Sequence, residues 1–304
     1  MEKRAFKVGQ IDKPVRIDVY LVDILGEGIS RSHIKRLIDN GNVSVNGERV
    51  KAHHNVKLGH VIEVALEELA AFGLEAEDIS LDIIYEDEDI IVLNKPPFMA
   101  VHPGAGIHSG TLVNALLHHC GNLSTVNDSR PGIVHRLDKD TSGVMVVAKN
   151  NAGHTELARQ FKERRVKKRY VALVSGIMEL DEGIIDLPIG RHPTHREKMA
   201  VRHDSEKNAI TEYKVIRRFG NFTAVSLNLK TGRTHQIRVH MAHIGHPLLG
   251  DSKYGGKGGK FPRQALHSCY LNFTHPRTGE NMEFTAKLPA DMKEAVCGDD
   301  LGIY

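Results

Sequence analysis

The order of strand and helix patterns along the chain is the feature that most constrains its fold. Residues 90–95 and 144–148 are apolar runs, and residues 211–215 and 223–229 alternate between apolar and polar side chains. Such alternation is typical of antiparallel strands with one face in water. Helical patterns interrupt the strands irregularly, without the strand–helix–strand repeat of a parallel sheet. The sequence therefore predicts an α+β fold with a mixed, mainly antiparallel sheet.

The composition is that of a folded, mildly basic protein. The 304 residues include 41 lysines and arginines against 38 aspartates and glutamates, which gives a formal net charge of +3. A chain of this length is sufficient for two or three domains of about 100–200 residues each. The charge is compatible with an RNA partner but does not require one.

Neither the cysteines nor the N-terminus indicates export or membrane insertion. Cys120, Cys269 and Cys297 lie far apart, which predicts neither a zinc site nor a disulfide framework. The first residues lack the apolar core of a signal peptide, and no apolar run approaches the ~18 residues of a membrane span. We expect a cytoplasmic monomer without a membrane partner.

The N-terminal part, residues 14–65, has the pattern of a small α/β domain. A first helical pattern is followed by a short helix at residues 33–40, which Gly41 ends, and Asn46-Gly47 predicts a tight hairpin. Cationic side chains on and beside the second helix are expected to contact RNA phosphates; they are Arg31, Lys35 and Arg36. The alternative is an ordinary solvated helix face.

The rest of the chain divides by composition. Residues 66–80 are acidic and rich in alanine, which predicts a linker between domains. Residues 81–295 carry the strand patterns and are predicted to form a second domain. Residues 296–304 are left as a C-terminal tail.

One charged segment between two apolar segments is a candidate site for chemistry. Residues 135–143 read His-Arg-Leu-Asp-Lys-Asp-Thr-Ser-Gly, with carboxylates at Asp138 and Asp140. Rigid apolar flanks hold polar side chains in place, although aspartates in loops are most often only turn formers. Two basic segments, residues 159–169 and 190–198, are either solvated surfaces or phosphate contacts.

Several blocks resemble the RluA-type pseudouridine synthases. The 135–143 string resembles the family's active-site motif, which implies that Asp138 is catalytic. Residues 168–174 resemble the segment whose tyrosine lies against the target base, here Tyr170, and residues 229–240 resemble the block whose arginine pairs with the aspartate, here Arg233. A weaker block at residues 265–268 implies that Leu266 forms an apolar wall. The blocks occur in the family's order over residues 81–295.

The resemblance implies an isomerisation that needs neither a metal nor a nucleotide cofactor. The family's reaction requires an ionised aspartate, and a neighbouring arginine favours that form of a carboxylate. The target uridine must be flipped out of its stack, and by resemblance Arg136 fills the vacated space. The other expected RNA contacts are Lys168, His235, and the hairpin residues Arg191, Arg196 and Lys198.

The N-terminal pattern resembles the S-four type RNA-binding module. Together with the 190–198 segment, this module makes the chain most similar to the RluD-like branch of the family. That similarity implies large-subunit ribosomal RNA as the partner. An RluC-like enzyme for other uridines of this RNA, or an enzyme acting on transfer RNA, remains an alternative.

Three further hypotheses differ in class. Asp138-Lys139-Asp140 could belong to an aspartyl phosphatase with Mg²⁺, although Thr141 falls one place early and the parallel-sheet pattern is missing. Four histidines at residues 235, 240, 243 and 246 could form a metal site, but no cysteine or acidic cluster joins them before Asp251. The third hypothesis is a ribosome-assembly protein that binds RNA without catalysis.

Overall fold

The structure is a computed structural model. It describes residues 2–11, 13–25, 31–66, 74–104, 106–121, 123–127, 130–255, 261–297 and 301–302, except the side chains of residues 2, 3, 32, 33, 36 and 66. The predicted RNA contact of Arg36 therefore lies outside the described residues.

The N-terminal unit combines two short helices with a small antiparallel sheet. Its elements are β1 (Glu2–Lys7), β2 (Val15–Arg16), α1 (Ile17–Leu25), α2 (Arg31–Asp39), β3 (Val43–Val45), β4 (Glu48–Arg49), β5 (Asn55–Val56) and β6 (Val61–Leu66). The four-stranded sheet has the order β1-β6-β3-β4, and β2 pairs separately with β5. Ile17 and Leu21 of α1 pack with Ile34 of α2 in a core of their own.

The predicted helix and hairpin of this unit are present, but the unit begins earlier than predicted. Asn46 and Gly47 both have positive φ (50° and 81°), as the predicted tight turn between β3 and β4 requires. Strand β1 pairs antiparallel with β6 along its whole length. Because β1 precedes residue 14, the predicted start of the domain missed one strand of its sheet.

The second unit carries the large sheet. Its elements are β7 (Ile83–Glu86), β8 (Ile90–Lys95), α3 (Leu112–Cys120), β9 (Ser142–Ala148), α4 (Asn151–Lys162), β10 (Lys167–Ser175), β11 (Glu182–Asp186), β12 (Ile189–Arg191), β13 (Met199–Val201), β14 (Ile210–Arg218), β15 (Phe222–Leu229), α5 (Gln236–His243), β16 (Leu266–Thr274), β17 (Asn281–Thr285) and α6 (Ala290–Ala295). Among the helices described, none is long and apolar enough to cross a membrane.

The nine-stranded sheet confirms the predicted fold class. Its order is β11-β14-β15-β10-β16-β9-β8-β7, with β17 also paired to β16. Strands β16 and β9 run parallel, and the other described pairs of this sheet are antiparallel. Strands β8 and β9 are almost entirely buried, which explains why they appear in the sequence as continuous apolar runs.

Packing at both ends of the second unit differs from the predicted boundaries. Leu74, inside the predicted linker, packs against the main core of the large sheet. The backbone N–H of Gly110 donates to the Glu77 carboxylate at 2.9 Å. Val296 and Leu301, inside the predicted tail, are buried in a second core on the other face. The predicted linker and the predicted C-terminal tail therefore each contain residues that pack into the second unit.

Candidate active site

A basic cavity opens on the large sheet beside the 135–143 segment. Its volume is about 1480 Å³, and it lies between residues 133–138, α4, β10 and residues 228–235. Ten lysines and arginines line it, and Asp138 is the one carboxylate among the described lining residues. A concave surface with this charge fits a polyanion and places one acidic group against it.

Asp138 is held in a short turn that leads directly into the buried strand β9. The N–H of Thr141 donates to the main-chain O of Asp138 at 3.0 Å, and β9 begins at the next residue. Gly143 then allows β9 to approach β16. Its φ is +119°, and a Cβ there would lie 2.2 Å from the main-chain O of Ser268. Only glycine fits this position, so the Thr-Ser-Gly end of the motif has a structural role.

Two buried cations hold the turn from behind. Lys95, which is 0% exposed, donates from Nζ to the main-chain O of Lys139 at 3.1 Å, and also to the carbonyls of Pro96 and Met99. Arg263 donates to the main-chain O of Asp140 at 3.0 Å and forms an ion pair with Asp291 on α6. The position of Asp138 is therefore fixed by contacts with both the start and the end of the domain.

The carboxylate of Asp138 pairs with Arg238, not with the predicted Arg233. The Arg238 guanidinium donates to Asp138 Oδ2 at 3.1 Å. Two further N–H groups of Arg238 bond to the buried carboxylate of Asp251, at 2.7 and 2.9 Å. Burial by itself would lower the pKa of Arg238, but its hydrogen bonds and charge interactions with Asp251 and Asp138 raise it. Arg238 is therefore a fixed cation at the carboxylate of Asp138.

Arg233 lies at the cavity wall but points elsewhere. Its Nε donates to the main-chain O of Asn208 at 3.1 Å. Gln236 Oε1 accepts the N–H of Arg233 and the hydroxyl of Thr231, which shapes the turn before α5. Arg233 precedes the helix, whereas Arg238 lies within it and faces the buried side. The predicted ion pair is thus present in the correct block, with the wrong arginine assigned.

Tyr170 reaches the cavity from the middle of β10. Its side chain is largely buried, at 7% exposure, and burial raises the pKa of its phenol despite a hydrogen bond with Ser268 that lowers it. The phenol is therefore protonated at neutral pH and can offer an O–H group to a bound base. The structure brings Tyr170 and Asp138 to the same cavity, as predicted.

Leu266 does not line the cavity as predicted. It is 4% exposed and belongs to the same core cluster as Tyr170 and Leu137. The leucine on the wall is Leu229, at the end of β15. Leu266 therefore supports the cavity from the core, because its side chain is buried in the cluster that also contains Tyr170 and Leu137.

Arg136 is exposed and projects from an anchored neighbour. His135 stacks on Phe161, with ring centroids 4.6 Å apart, and its Nε2 accepts the N–H of Val146 at 3.1 Å. Burial, together with the charge of Lys168, lowers the pKa of His135 to about 3, so the ring is neutral. Lys168 lies over the same Phe161 ring, 5.5 Å from its centroid. Both predicted cations, Arg136 and Lys168, line the cavity.

The remaining predicted RNA contacts lie on two other surfaces. Segment 189–201 forms the predicted hairpin, in which β12 pairs with β13. Exposed Arg191 ends β12, and the connecting loop bears exposed Arg196 and half-buried Lys198. On the N-terminal unit, Lys35 is exposed, and Arg31 is paired with the buried carboxylate of Asp18 at 2.9 Å. Part of the predicted positive charge of α2 is therefore neutralised.

The two rival chemistries do not fit this geometry. The large sheet is not the parallel sheet that the phosphatase hypothesis requires. Three of the four histidines of the metal-site hypothesis, His235, His240 and His246, make hydrogen bonds instead. His240 contacts Thr211 Oγ1 and Leu187 O, and His246 contacts Ser175 O. In the part of the chain that the structure describes, these four histidines do not form a group with metal-ligand spacing.

Sequence reasoning missed five residues that build the site. They are Lys95, Arg238, Asp251, Tyr254 and Arg263. Arg238 stands in the same block as Arg233, so the block indicated an arginine but did not distinguish between the two. The others carry no local signal, because a buried lysine or arginine looks like any surface cation in a sequence.

Comparison with sequence families agrees with this site. Residues 89–243 match the family described as RNA pseudouridylate synthase, and residues 15–62 match the S4 domain. The first match includes Asp138, Tyr170 and Arg238. The second covers most of the N-terminal unit, from β2 to the start of β6.

Individual relatives match along almost the whole chain. A Bacillus subtilis protein named uncharacterized RNA pseudouridine synthase YlyB is 48% identical over 286 residues, which are 93% of this chain and 94% of the relative. The ribosomal large subunit pseudouridine synthase D of Pasteurella multocida is 46% identical, with 92% and 90% covered. Among solved structures, human RNA pseudouridylate synthase domain containing 1 is 29% identical, with a TM-score of 0.60 over 74% of this chain and 89% of that one.

Proposed function

The chain belongs to the RNA pseudouridylate synthase family, and from that premise we propose that it isomerises specific uridines of large-subunit ribosomal RNA to pseudouridine. The observation that carries the proposal is the single carboxylate of Asp138, ion-paired with Arg238 at a cavity whose described lining also includes ten lysines and arginines. Such a cavity attracts an RNA backbone and keeps one ionised group for the chemistry.

The reaction rearranges bonds within one nucleoside. The N1–C1′ glycosidic bond breaks, the uracil turns, a C5–C1′ bond forms, the proton on C5 is lost and N1 gains a proton. No electrons are gained or lost overall, so the proposal requires neither a metal nor a nucleotide cofactor. Asp138 acts on the nucleoside as nucleophile or base, and Arg238 orients its carboxylate by the ion pair.

The other cavity residues supply the environment for a flipped base. Tyr170 presents a protonated phenol to the uracil, and Arg136 fills the space that the base leaves in the RNA stack. Lys168, Arg233 and His235 are proposed to contact the substrate nucleotide and its neighbours. Arg130, which lines the cavity together with Arg136, is a further candidate for a phosphate contact.

The choice of RNA rests on the relatives and on the N-terminal unit. Relatives from Pasteurella multocida and Haemophilus ducreyi, 46% and 47% identical, are named ribosomal large subunit pseudouridine synthase D. We propose that the N-terminal unit, through Arg31, Lys35 and Arg36, and the β12–β13 hairpin, through Arg191, Arg196 and Lys198, hold RNA outside the cavity. A monomer in the cytoplasm, where ribosomes assemble, is sufficient for this reaction.

The test is pseudouridine mapping on large-subunit ribosomal RNA, as naked RNA and as precursor particles, by carbodiimide labelling and primer extension. Wild type, Asp138→Asn and the matched control Asp140→Asn are compared, without added metal or nucleotide. We expect discrete modified positions with wild type and with Asp140→Asn, and none with Asp138→Asn.

Two results would contradict the proposal in different ways. Modification by Asp138→Asn at the wild-type rate would remove Asp138 from the chemistry. Absence of modification on all ribosomal substrates, with activity on transfer RNA, would overturn the choice of substrate while leaving the reaction unchanged.

A further inference from the structure

Tyr254 contacts both of the groups that flank the carboxylate of Asp138. It follows Asp251 in the segment after α5 and is half-buried, packed with Met199 and Val201 of β13 against Val239 of α5. It does not line the cavity. Any influence of Tyr254 on the reaction must therefore act through other residues.

The hydroxyl group of Tyr254 makes two short hydrogen bonds. It accepts the N–H of Met199 at 2.8 Å and lies 2.7 Å from Nδ1 of His235. Burial raises the pKa of Tyr254 and lowers the pKa of His235, so both groups are neutral at pH 7. We assign the Tyr254 hydroxyl as the donor to Nδ1 of His235, with the Met199 amide donating to the same oxygen. The imidazole proton is then on Nε2, which lies 3.8 Å from Asp138 Oδ2.

The ring of Tyr254 contacts the second neighbour of Asp138. The guanidinium carbon of Arg238 lies over this ring, 5.1 Å from its centroid. His235 itself has the unusual left-handed conformation, with φ of 55°, at the start of α5. A residue held in that conformation needs contacts that fix it, and the hydroxyl of Tyr254 provides one.

We propose that Tyr254 is a positioning residue, which sets the orientation of His235 and Arg238 at Asp138 and anchors the β12–β13 hairpin to them. Met199 is the first residue of β13 and directly follows the basic loop of that hairpin. Its amide, the Tyr254 hydroxyl and the His235 ring form one chain of hydrogen bonds that ends beside the carboxylate. This inference rests on the proposed function for its catalytic consequence, but the network itself can be tested without RNA.

The first test is on the free protein. Nitrogen NMR of the His235 side chain, assigned by its loss in His235→Gln, is compared between wild type and Tyr254→Phe. We expect an unprotonated, hydrogen-bonded Nδ1 in wild type and a changed tautomer population in the variant. We also expect the Met199 amide to exchange with solvent at least tenfold faster in the variant, since its acceptor is gone. Identical nitrogen shifts and identical exchange would overturn the proposal.

The second test measures single-turnover rates at saturating RNA. Tyr254→Phe keeps the ring under Arg238 and should slow the reaction about three- to tenfold, the effect of one lost hydrogen bond, with RNA affinity changed less than twofold. Tyr254→Leu also removes the ring and should be slower. In the His235→Gln background, Tyr254→Phe should have no further effect. Tyr85→Phe, which loses a hydroxyl bond to Asp87 far from the cavity, is the matched control and should keep the wild-type rate.

The outcomes separate the two proposals. A wild-type rate for Tyr254→Phe, or slowing that simply multiplies with that of His235→Gln, would overturn the positioning role and leave the proposed function intact. If wild type makes no pseudouridine in any RNA, the proposed function fails, and the NMR comparison still decides whether Tyr254 orients His235.

Discussion

Arg238 forms an ion pair with Asp138, a residue 100 positions earlier in the chain, and the two side chains meet at 3.1 Å. Arg238 also forms an ion pair with Asp251, whose side chain is fully buried, so one guanidinium binds two carboxylates. Since Asp251 fixes the guanidinium from the other side, Arg238 cannot swing away when RNA enters. The carboxylate of Asp138 therefore faces a preorganised positive charge, which needs no rearrangement in the proposed reaction.

This arrangement predicts different consequences for the two arginines of one motif. Arg238→Met should reduce the single-turnover rate at least ~100-fold and lower the free energy of unfolding by about 3–5 kcal/mol, because Asp251 is left buried without its partner. Arg233→Met keeps the ion pair, so it should mainly raise KM and reduce the salt dependence of RNA binding by about one charge. Rapid-quench kinetics and urea unfolding measure both. A larger rate loss for Arg233→Met than for Arg238→Met would restore the arginine predicted from the sequence.

Lys95 predicts a pH dependence of stability. Burial, the largest effect, lowers its pKa from 10.5 to about 7 in the folded protein. Between pH 7 and 10.5 the unfolded chain therefore binds more protons at this site than the folded one, and the free energy of unfolding contributed by Lys95 rises with pH across that window. In Lys95→Met this contribution is absent. Urea unfolding between about pH 7.5 and 9.5 should show a slope smaller by up to about 1.4 kcal/mol per pH unit in the variant. Equal slopes would show that Lys95 stays charged in the fold.

Gly143 predicts a large stability loss from a single methyl group. Gly143→Ala combines a positive φ with a Cβ 2.2 Å from the main chain of Ser268, and should cost about 3–5 kcal/mol because β9 and β16 must separate. Gly279 has a similar left-handed φ of +76°, but no atom lies within 4 Å of the position that a Cβ would take there. Gly279→Ala should therefore cost only about 1 kcal/mol. Thermal and urea unfolding give the loss of unfolding free energy in each variant, so the difference between them measures the steric clash beyond the backbone strain. Equal losses would argue against the close β9–β16 contact.

The ion pair behind the catalytic turn predicts a stronger effect than a surface pair. Arg263 is completely buried and pairs with Asp291 at 2.6 Å. Asp291→Asn should lower the free energy of unfolding by about 2–4 kcal/mol, since the guanidinium cannot reach water. The exposed pair of Lys230 and Glu212, at 3.1 Å, provides the control, and Glu212→Gln should cost less than about 1 kcal/mol. Similar small losses in both variants would show that the Arg263 pair does not stabilise the turn.

The sequence was sufficient for the fold class because strand periodicity reflects burial directly. The strands β8, β9, β14 and β15, and the hairpin of β12 and β13, all lie within a few residues of their predicted positions. The domain boundaries were harder to predict from the sequence. Strand β1 is recognised only through its pairing with β6, and Leu74 is recognised as packed only through contacts with residues far along the chain.

The candidate site shows the same division between local and long-range information. A motif indicates Asp138 because the turn, the candidate carboxylate and Gly143, which allows β9 to approach β16, lie close together in the chain. Arg238 lies on α5 and its side chain reaches Asp138, whereas Arg233 precedes the helix and contacts Asn208. This difference depends on the placement of α5 in the fold, which the local sequence does not show.

The sequence by itself determined the strand-rich architecture and the family and singled out Asp138 as the candidate reactive aspartate, since each is indicated by side chains that are neighbours along the chain. Only the tertiary structure decided which arginine meets that aspartate, that Leu266 supports the cavity from the core, and that Lys95, Arg263 and Tyr254 hold the site. These contacts join residues tens to more than a hundred positions apart, so they exist only after the sheet has assembled and excluded water from the charges between its elements.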